Sequence, residues 1–464
     1  MIYILYYDHN GISVNQKSQY IVDQYKKRRR LFLGAGISAV VIIVLLVIGA
    51  VFQPLEVFFQ MRTDRESNQH FTQAQPTPES FSQHEEQEDM ARMWSNGKCE
   101  GKGSTKFKKS PIAVDNLSFI FPMGRMASAH VTPTDHQYWI PIGVKSTGGL
   151  TDEPEKFEIY APADGYIVSI EHSTQAITEG SKQPPQDDYR IIFEHSCTFY
   201  SLLIHINKVK KEILDQITFK EDSPGHSSGF GRVGVKQAEV IGRSGAHQFD
   251  FAVINTEVTL HGFINPQSYN AEPWKIHTVD TFDYFDEPLR SQLTARSVRT
   301  TVPMGGKIDY DIPGKLVGNW FREGSGGYFG NTTDRGASGR YWDSHLSVVY
   351  DPIDPAKITV STGNFNGTSA QFAVLGNSPD PKSVDEKSGV IKYELVERDY
   401  ITSSGQVWDE RMFDKNLKFR AGSQIRGVAL FQVLPNQKIK VEFFPNQKAS
   451  QVSGFTPKAQ IYER

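Results

Sequence analysis

Between His130 and Asp250 the chain holds a dispersed set of residues able to do chemistry: His130, Asp135, His136, His195, His205, His247 and Asp250. All can bind a metal ion through imidazole nitrogen or carboxylate oxygen, and a catalytic zinc takes about three such ligands while keeping a further position open for water. Ligands this far apart in sequence can meet only by converging from different strands. Gln248 stands among them and cannot exchange a proton as imidazole does, whereas general acid–base help contributes ~10²–10⁴-fold to a reaction. Side chains alternate faces along a strand, so His247 points away from Gln248 and Asp250 unless a bulge intervenes. His195 is expected to be an ordinary hydrogen-bonded, half-buried side chain.

The elements that must position these groups read as strands. Short β-branched and aromatic runs occur at Phe157 to Tyr160, Tyr166 to Ile170, Arg190 to Phe193 and Tyr200 to Ile206, each bounded by turn formers. They predict an antiparallel β core. Pro162-Ala163-Asp164-Gly165 is a turn whose glycine tolerates positive φ. A charged segment from Asn207 to His226 interrupts the core, with a short helix expected in Lys208 to Gln216. From about Val302 a second β-rich unit follows, with alternating strands at Ile391 to Leu395 and Ile439 to Phe443 and further strands at Lys357 to Val360, Gln371 to Leu375 and Val428 to Leu434. This unit is expected to be a sandwich or barrel. The joining piece carries a helix in Glu287 to Leu293, with Pro288 early in it. The glycine-rich runs Gly324 to Gly327 and Gly336 to Gly339 read as loops, because no Walker-type Lys-Ser/Thr pair follows either.

Ala129-His130-Val131-Thr132-Pro133-Thr134-Asp135-His136, Ala161 to Ile167, Tyr200 to His205, Val235-Lys236-Gln237-Ala238-Glu239-Val240-Ile241-Gly242 and Phe249-Asp250-Phe251-Ala252-Val253 follow in that order. Together they resemble the β-sheet core of the lysostaphin-type (LytM-like) zinc peptidases, which cut peptide bonds in cell-wall polymers. The resemblance implies His130, Asp135 and Asp250 as zinc ligands, with His136 as a substitute beside Asp135, and His205 as the catalytic acid–base residue. Gln248 then replaces a catalytic histidine in the substrate cleft beside His247, Asp135 needs one extra residue of spacing, and Asp250 replaces a histidine ligand. A weakened peptidase is the expectation. In the second unit, Gly318-Asn319-Trp320-Phe321 is similar to the Gly-x-Trp signature of lipocalins. A buried tryptophan beside a tight turn accounts for it, and no small apolar ligand is expected there.

The whole chain has 464 residues and a formal net charge of −3, which gives no reason to expect nucleic acid. Lys26-Lys27-Arg28-Arg29-Arg30 precedes an uncharged run from Leu31 to Phe52. About twenty apolar residues in a helix span the ~30 Å hydrocarbon core, and the basic cluster predicts a cytoplasmic N-terminus. The expected organisation is a cytoplasmic segment (1–30), one transmembrane helix (31–52), a polar stalk (53–95), a lysostaphin-like β domain (96–275), a connecting helix and linker (276–301) and a C-terminal β domain (302–464). The fold class is therefore mainly β behind a membrane anchor. Cys99 and Cys197, both on the outer side, are a candidate disulfide. Asn116, Asn331 and Asn366 fit the glycosylation acceptor pattern; with no lipobox-type cysteine after the apolar run, they are in keeping with an archaeal surface. The functional expectation is a single-pass surface protein that binds envelope polymer or protein with weak or no hydrolysis. An active endopeptidase or amidase and a purely structural envelope component are the alternatives.

Overall fold

The computed structural model describes residues 90–144, 153–175, 186–223, 225–329 and 340–464. The apolar run at 31–52, most of the stalk and Asn331 lie outside the described residues. Among those described, no helix is long and apolar enough to cross a membrane.

The first part is a nine-stranded antiparallel sheet. It comprises β1 (Leu117–Phe121), β2 (Gln137–Pro141), β4 (Gly165–Gln175), β5 (Gln186–Ser196), β6 (Phe199–Ile206), β8 (Thr218–Ser223), β9 (His226–Val235), β11 (Phe249–Asn255) and β12 (Thr278–Val279). Spatial order is β1-β2-β11-β6-β5-β4-β9-β8, with β12 paired to β11. A small sheet of β3 (Phe157–Tyr160), β10 (Val240–Ser244) and β7 (Lys208–Val209) accompanies it, in the order β3-β10-β7. The expected helix in Lys208 to Gln216 is thus shorter, Lys211–Leu214, because Lys208 and Val209 pair with β10.

Both faces of the central strands are buried, and the period of two decides what each face holds. Ile191, Phe193, Leu203, Phe249, Phe251 and Val253 enter one core together with Phe282, Phe285 and Leu293. The piece expected to be a linker is therefore part of that core, and its helix is Leu289–Ala295. Ile192, Leu202, Ala252 and Ile254 face the other way, against Met90 and Trp94. Residues 90–95, expected to belong to the stalk, instead cap this second face, where the Trp94 ring lies 5.1 Å from Tyr200 and 5.5 Å from Trp274. Gly165 does not supply positive φ as expected. It starts β4 beneath the Glu194 carbonyl, and a Cβ there would stand 2.4 Å from that oxygen. Cys99 and Cys197 are joined, with Cα atoms 5.0 Å apart, tying the entry of the unit to the β5–β6 turn.

The second part resolves the choice between sandwich and barrel. Eight antiparallel strands form a closed barrel in simple chain order: β13 (Gly318–Arg322), β14 (His345–Tyr350), β15 (Ile358–Phe365), β16 (Thr368–Val374), β17 (Val390–Ile401), β18 (Lys418–Leu434), β19 (Lys438–Pro445) and β20 (Gln460–Glu463). Phe321 pairs with Glu463 to close it. Alternate residues such as Trp320, Val348, Leu395, Phe431 and Val441 fill the interior, as eight strands allow. Trp320, at the barrel's first strand, is fully buried beneath the Arg464 guanidinium, 3.9 Å from its ring.

β17 and β18 run on past the barrel as an arm whose tip carries Trp408 and Phe413 onto Phe119 of β1. Arg125 pairs with Glu410, the Arg398 guanidinium donates to the Met126 carbonyl, and Lys415 Nζ donates to the Thr294 carbonyl at 2.9 Å. The β13–β14 connection also reaches the first part. Gly327, at φ +76°, passes so close to the Ser268 carbonyl that a Cβ would stand 2.4 Å from its oxygen. This approach brings Tyr328 toward the second face of the large sheet.

Candidate functional site

The site lies on that second face, where the apolar lining gives way to polar residues. By alternation Tyr138 of β2, Ile204 of β6, Arg190 of β5 and Asp250 of β11 look the same way, and the pairing places Asp250 beside both Tyr138 and Ile204. His136, one residue before β2, shares the parity of Tyr138, and their rings stand 5.0 Å apart.

His205 would face the opposite core with Leu203 if β6 stayed regular. It does not: His205 has φ +67°, and the β5–β6 register shifts between Tyr189 and Ile191. A bulge of this kind re-aims a side chain, and left-handed backbone outside glycine concentrates at functional positions. His205 consequently points Nε2 toward Asp250 Oδ2 at 3.5 Å, while His136 Nε2 approaches the same oxygen at 3.4 Å. Each imidazole turns its other nitrogen to a further carboxylate, His205 Nδ1 to Asp188 Oδ2 at 2.9 Å and His136 Nδ1 to Asp135 Oδ1 at 3.1 Å. Asp135 is held in turn by Trp274 Nε1 and Lys275 Nζ, both 3.1 Å from its Oδ2. His136 Nε2 and Asp250 Oδ1 are buried without a hydrogen-bond partner.

The electrostatics follow from this crowding. Burial alone would lower the His205 imidazole, but Asp250 and Asp188 together raise it to about 9. Burial likewise acts against the charge on His136, and Asp250 with Asp135 overcomes it and raises its pKa. Asp135 is held well below the usual carboxylate range against its burial, chiefly by the Lys275 charge. Glu272, 3.7 Å from Lys275, is raised because burial outweighs that attraction. His130 keeps an exposed edge at the cleft mouth, 5.8 Å from the His136 ring, yet the protein around it and the His136 and Lys275 charges push it down to about 3.

The sequence-derived residues thus separate into two groups. His136, His205 and Asp250 come together. The expected set of His130, Asp135 and Asp250 does not, because the carboxylate of Asp135 is engaged by His136, Trp274 and Lys275. His205 is a neighbour of both the Asp250 and the Asp188 carboxylates. Gln248 keeps the parity of Asp250 and buries an unpartnered Oε1. His247, in the bend before β11, has Nε2 2.6 Å from Asn207 Oδ1 and feels the charges of His205 and Asp188. His195 lies between Asp164 O and Ser201 Oγ, 2.9 Å from each, and is structural. Asn116 precedes β1 half-buried, and Asn366 is exposed in the β15–β16 turn.

Sequence reasoning missed Asp188, Glu272, Trp274 and Lys275, and the barrel's Tyr328 and Tyr341, all but Asp188 lining the same cavity of about 150 Å³. The two tyrosines had no local signal. As the side chains stand, no group of three or more His, Cys, Asp and Glu among the described residues could hold a metal ion. Comparison of the chain with protein-family models, with curated proteins and with solved structures finds no match.

Proposed function

We propose that the cluster of His136, His205 and Asp250, which borders the cleft through His136, is a divalent-metal centre of the zinc-peptidase kind. The chain around it would be a membrane-anchored surface protein that binds envelope polymer or protein and hydrolyses it weakly. The observation that carries this is two imidazoles aiming Nε2 at one carboxylate oxygen while each lends its Nδ1 to a second carboxylate. Metal-binding histidines are oriented in that way by outer carboxylates. Two donors on one tetrahedral zinc, at ~2.0–2.1 Å from it, stand ~3.3–3.4 Å apart, close to the two spacings found here. The buried Asp250 Oδ1, which has no hydrogen-bond partner, favours the same reading, since such atoms ordinarily find one. Uptake includes a side-chain adjustment that closes the set.

Bound zinc would supply Lewis-acid polarisation of a water or a carbonyl. Asp135 and Asp188 would fix the two imidazole orientations, and Lys275 and Trp274 would hold Asp135. Gln248, on the face of Asp250, cannot relay a proton, which supports weak turnover. The disulfide suits a compartment outside the cytosol.

A second reading, the active endopeptidase, is favoured by His130. It is an exposed imidazole that lines the same cavity as His136 and Asp135, where a general base could reach a bound water.

Metal analysis of the purified full chain tests the proposal. Stoichiometric zinc that disappears in His136→Ala and in Asp250→Ala but persists in His130→Ala is the expected result. Loss in His130→Ala with retention in His136→Ala would restore the ligand set first expected. A metal-free chain whose stability chelator does not change removes the metal centre. Casein cleavage abolished by His130→Ala would establish the second reading.

A further inference from the structure

The sheet does not hold the three residues of the cluster equally. His205 and Asp250 belong to β6 and β11, which pair directly with each other, Asp250 opposite Ile204. His136 lies one residue outside the ladder, because the pairing of β2 with β11 begins at Gln137. Its backbone takes its direction from the chain before it. That chain, between β1 and β2, is a loop closed at its base, where the Gly124 amide donates to the Thr134 carbonyl at 2.8 Å and the Thr134 amide to the Arg125 carbonyl at 3.3 Å.

The barrel grips this loop from outside. Arg398 donates to the Met126 carbonyl, Gln371 Nε2 donates to the Ser128 carbonyl at 3.3 Å, and Glu410 at the arm tip pairs with Arg125. Arg398 is itself anchored, 3.1 Å from the fully buried Asp351, which also accepts the Tyr400 hydroxyl at 2.6 Å. The β17–β18 register shifts on either side of Val396, where pairing to β16 ends and the arm begins, and such a bulge re-aims the side chains beside it. From Arg125 the contacts run on to the cluster. Its guanidinium lies 4.9 Å from the Phe121 ring centroid and 5.2 Å from that of Tyr138, whose ring is 5.0 Å from the His136 ring.

We infer that Gln371, Arg398 and Glu410 of the barrel are positioning residues for His136, so that the metal centre is completed only while the barrel holds the loop at 124–134. The inference rests on the metal-centre reading for its ligand; the hold itself rests on the contacts alone. A site binds well when its groups stand within ~0.5 Å of their places, and a loop fixed at several points meets that tolerance better than one fixed at its base. Glu410, Arg125, Tyr138 and His136 form the continuous set of packed and paired groups through which such coupling travels.

The test measures the zinc affinity of the full chain by competition with a chromophoric chelator, and hydrogen exchange of residues 124–136 in the same variants. Gln371→Leu and Glu410→Gln are each expected to weaken zinc binding about tenfold, the lower end of what loss of an outer support costs a metal site, and to speed exchange across the loop. Arg398→Lys, which keeps a donor, should bind zinc more tightly than Arg398→Met; the half-exposed Glu410 covers the case in which Arg398→Met misfolds. Arg420→Gln, which breaks the arm's own pair with Asp399, should change neither reading. Wild-type zinc affinity in both Gln371→Leu and Glu410→Gln overturns the inference and leaves the metal centre standing. A wild-type chain that holds no zinc removes the metal centre. Faster loop exchange in the two variants then upholds the hold, and unchanged exchange overturns it.

Discussion

Two buried polar clusters in this molecule are finished to different degrees. Arg299, 2 % exposed, donates from Nε to the carbonyls of Thr301 and Pro303, from Nη1 to that of Pro352 and from Nη2 to that of Val302. All of its nitrogens are used, and every partner is backbone. Around the Asp250 carboxylate, also 2 % exposed, two imidazoles converge, so that its partners are titratable side chains rather than backbone. Saturation marks a group that holds architecture together. Partners that are themselves titratable side chains leave a cluster whose charge can change with pH or with a bound ion.

Substitutions at the saturated places should cost the most stability. Arg299→Leu removes four charge-assisted hydrogen bonds, the one to the buried Pro352 carbonyl among them, and at ~1.5–3 kcal/mol for such a bond the loss should be about 3 kcal/mol or more. A urea midpoint that hardly moves would dissolve the distinction between the clusters. Converting Cys99 and Cys197 together to serine opens a loop spanning 98 positions. Such a change should cost about 2–4 kcal/mol in the same assay.

A smaller effect concerns Asp311, which receives the Asn319 amide at 2.8 Å and sits 3.6 Å from the Arg464 guanidinium. Burial outweighs these partners and raises its carboxyl from 3.8 to about 6. The folded state therefore holds the proton more tightly than the unfolded chain. The resulting stability is complete below about pH 3.8 and is lost as pH rises through about 6, on the order of 3 kcal/mol in all. Asp311→Asn should remove that slope; a slope unchanged in the variant would assign it to another group.

The change in chemistry is largest at Asp250. Asp250→Asn keeps shape but removes the carboxylate that raises both imidazoles, so it should abolish zinc uptake and also lower stability near neutral pH, as breaking a buried ion pair does. Retained zinc uptake in Asp250→Asn would place Asp250 with Arg299 as architecture and count against the metal centre.

Much of the scaffold was legible. Runs such as Ile439 to Phe443 announced barrel strands because one side of each is buried and the other is not. The ligand set was not. One position separates Asp135 from His136, and which of them faces Asp250 depends on where β2 begins to keep parity with Tyr138. His205 reaches the site only through a positive φ that no local residue pattern announces. Tyr328 and Tyr341 arrive from another domain, placed by packing between parts distant in sequence.

The bond between Cys99 and Cys197 has a mechanical consequence. It joins the lead-in chain to the turn between β5 and β6, in the middle of the sheet, whereas the first strand, β1, lies at its rim. A pull on the residues before Cys99 is therefore taken up by central strands, loaded along several hydrogen-bonded neighbours at once, and the rim is spared from being peeled away one bond after another.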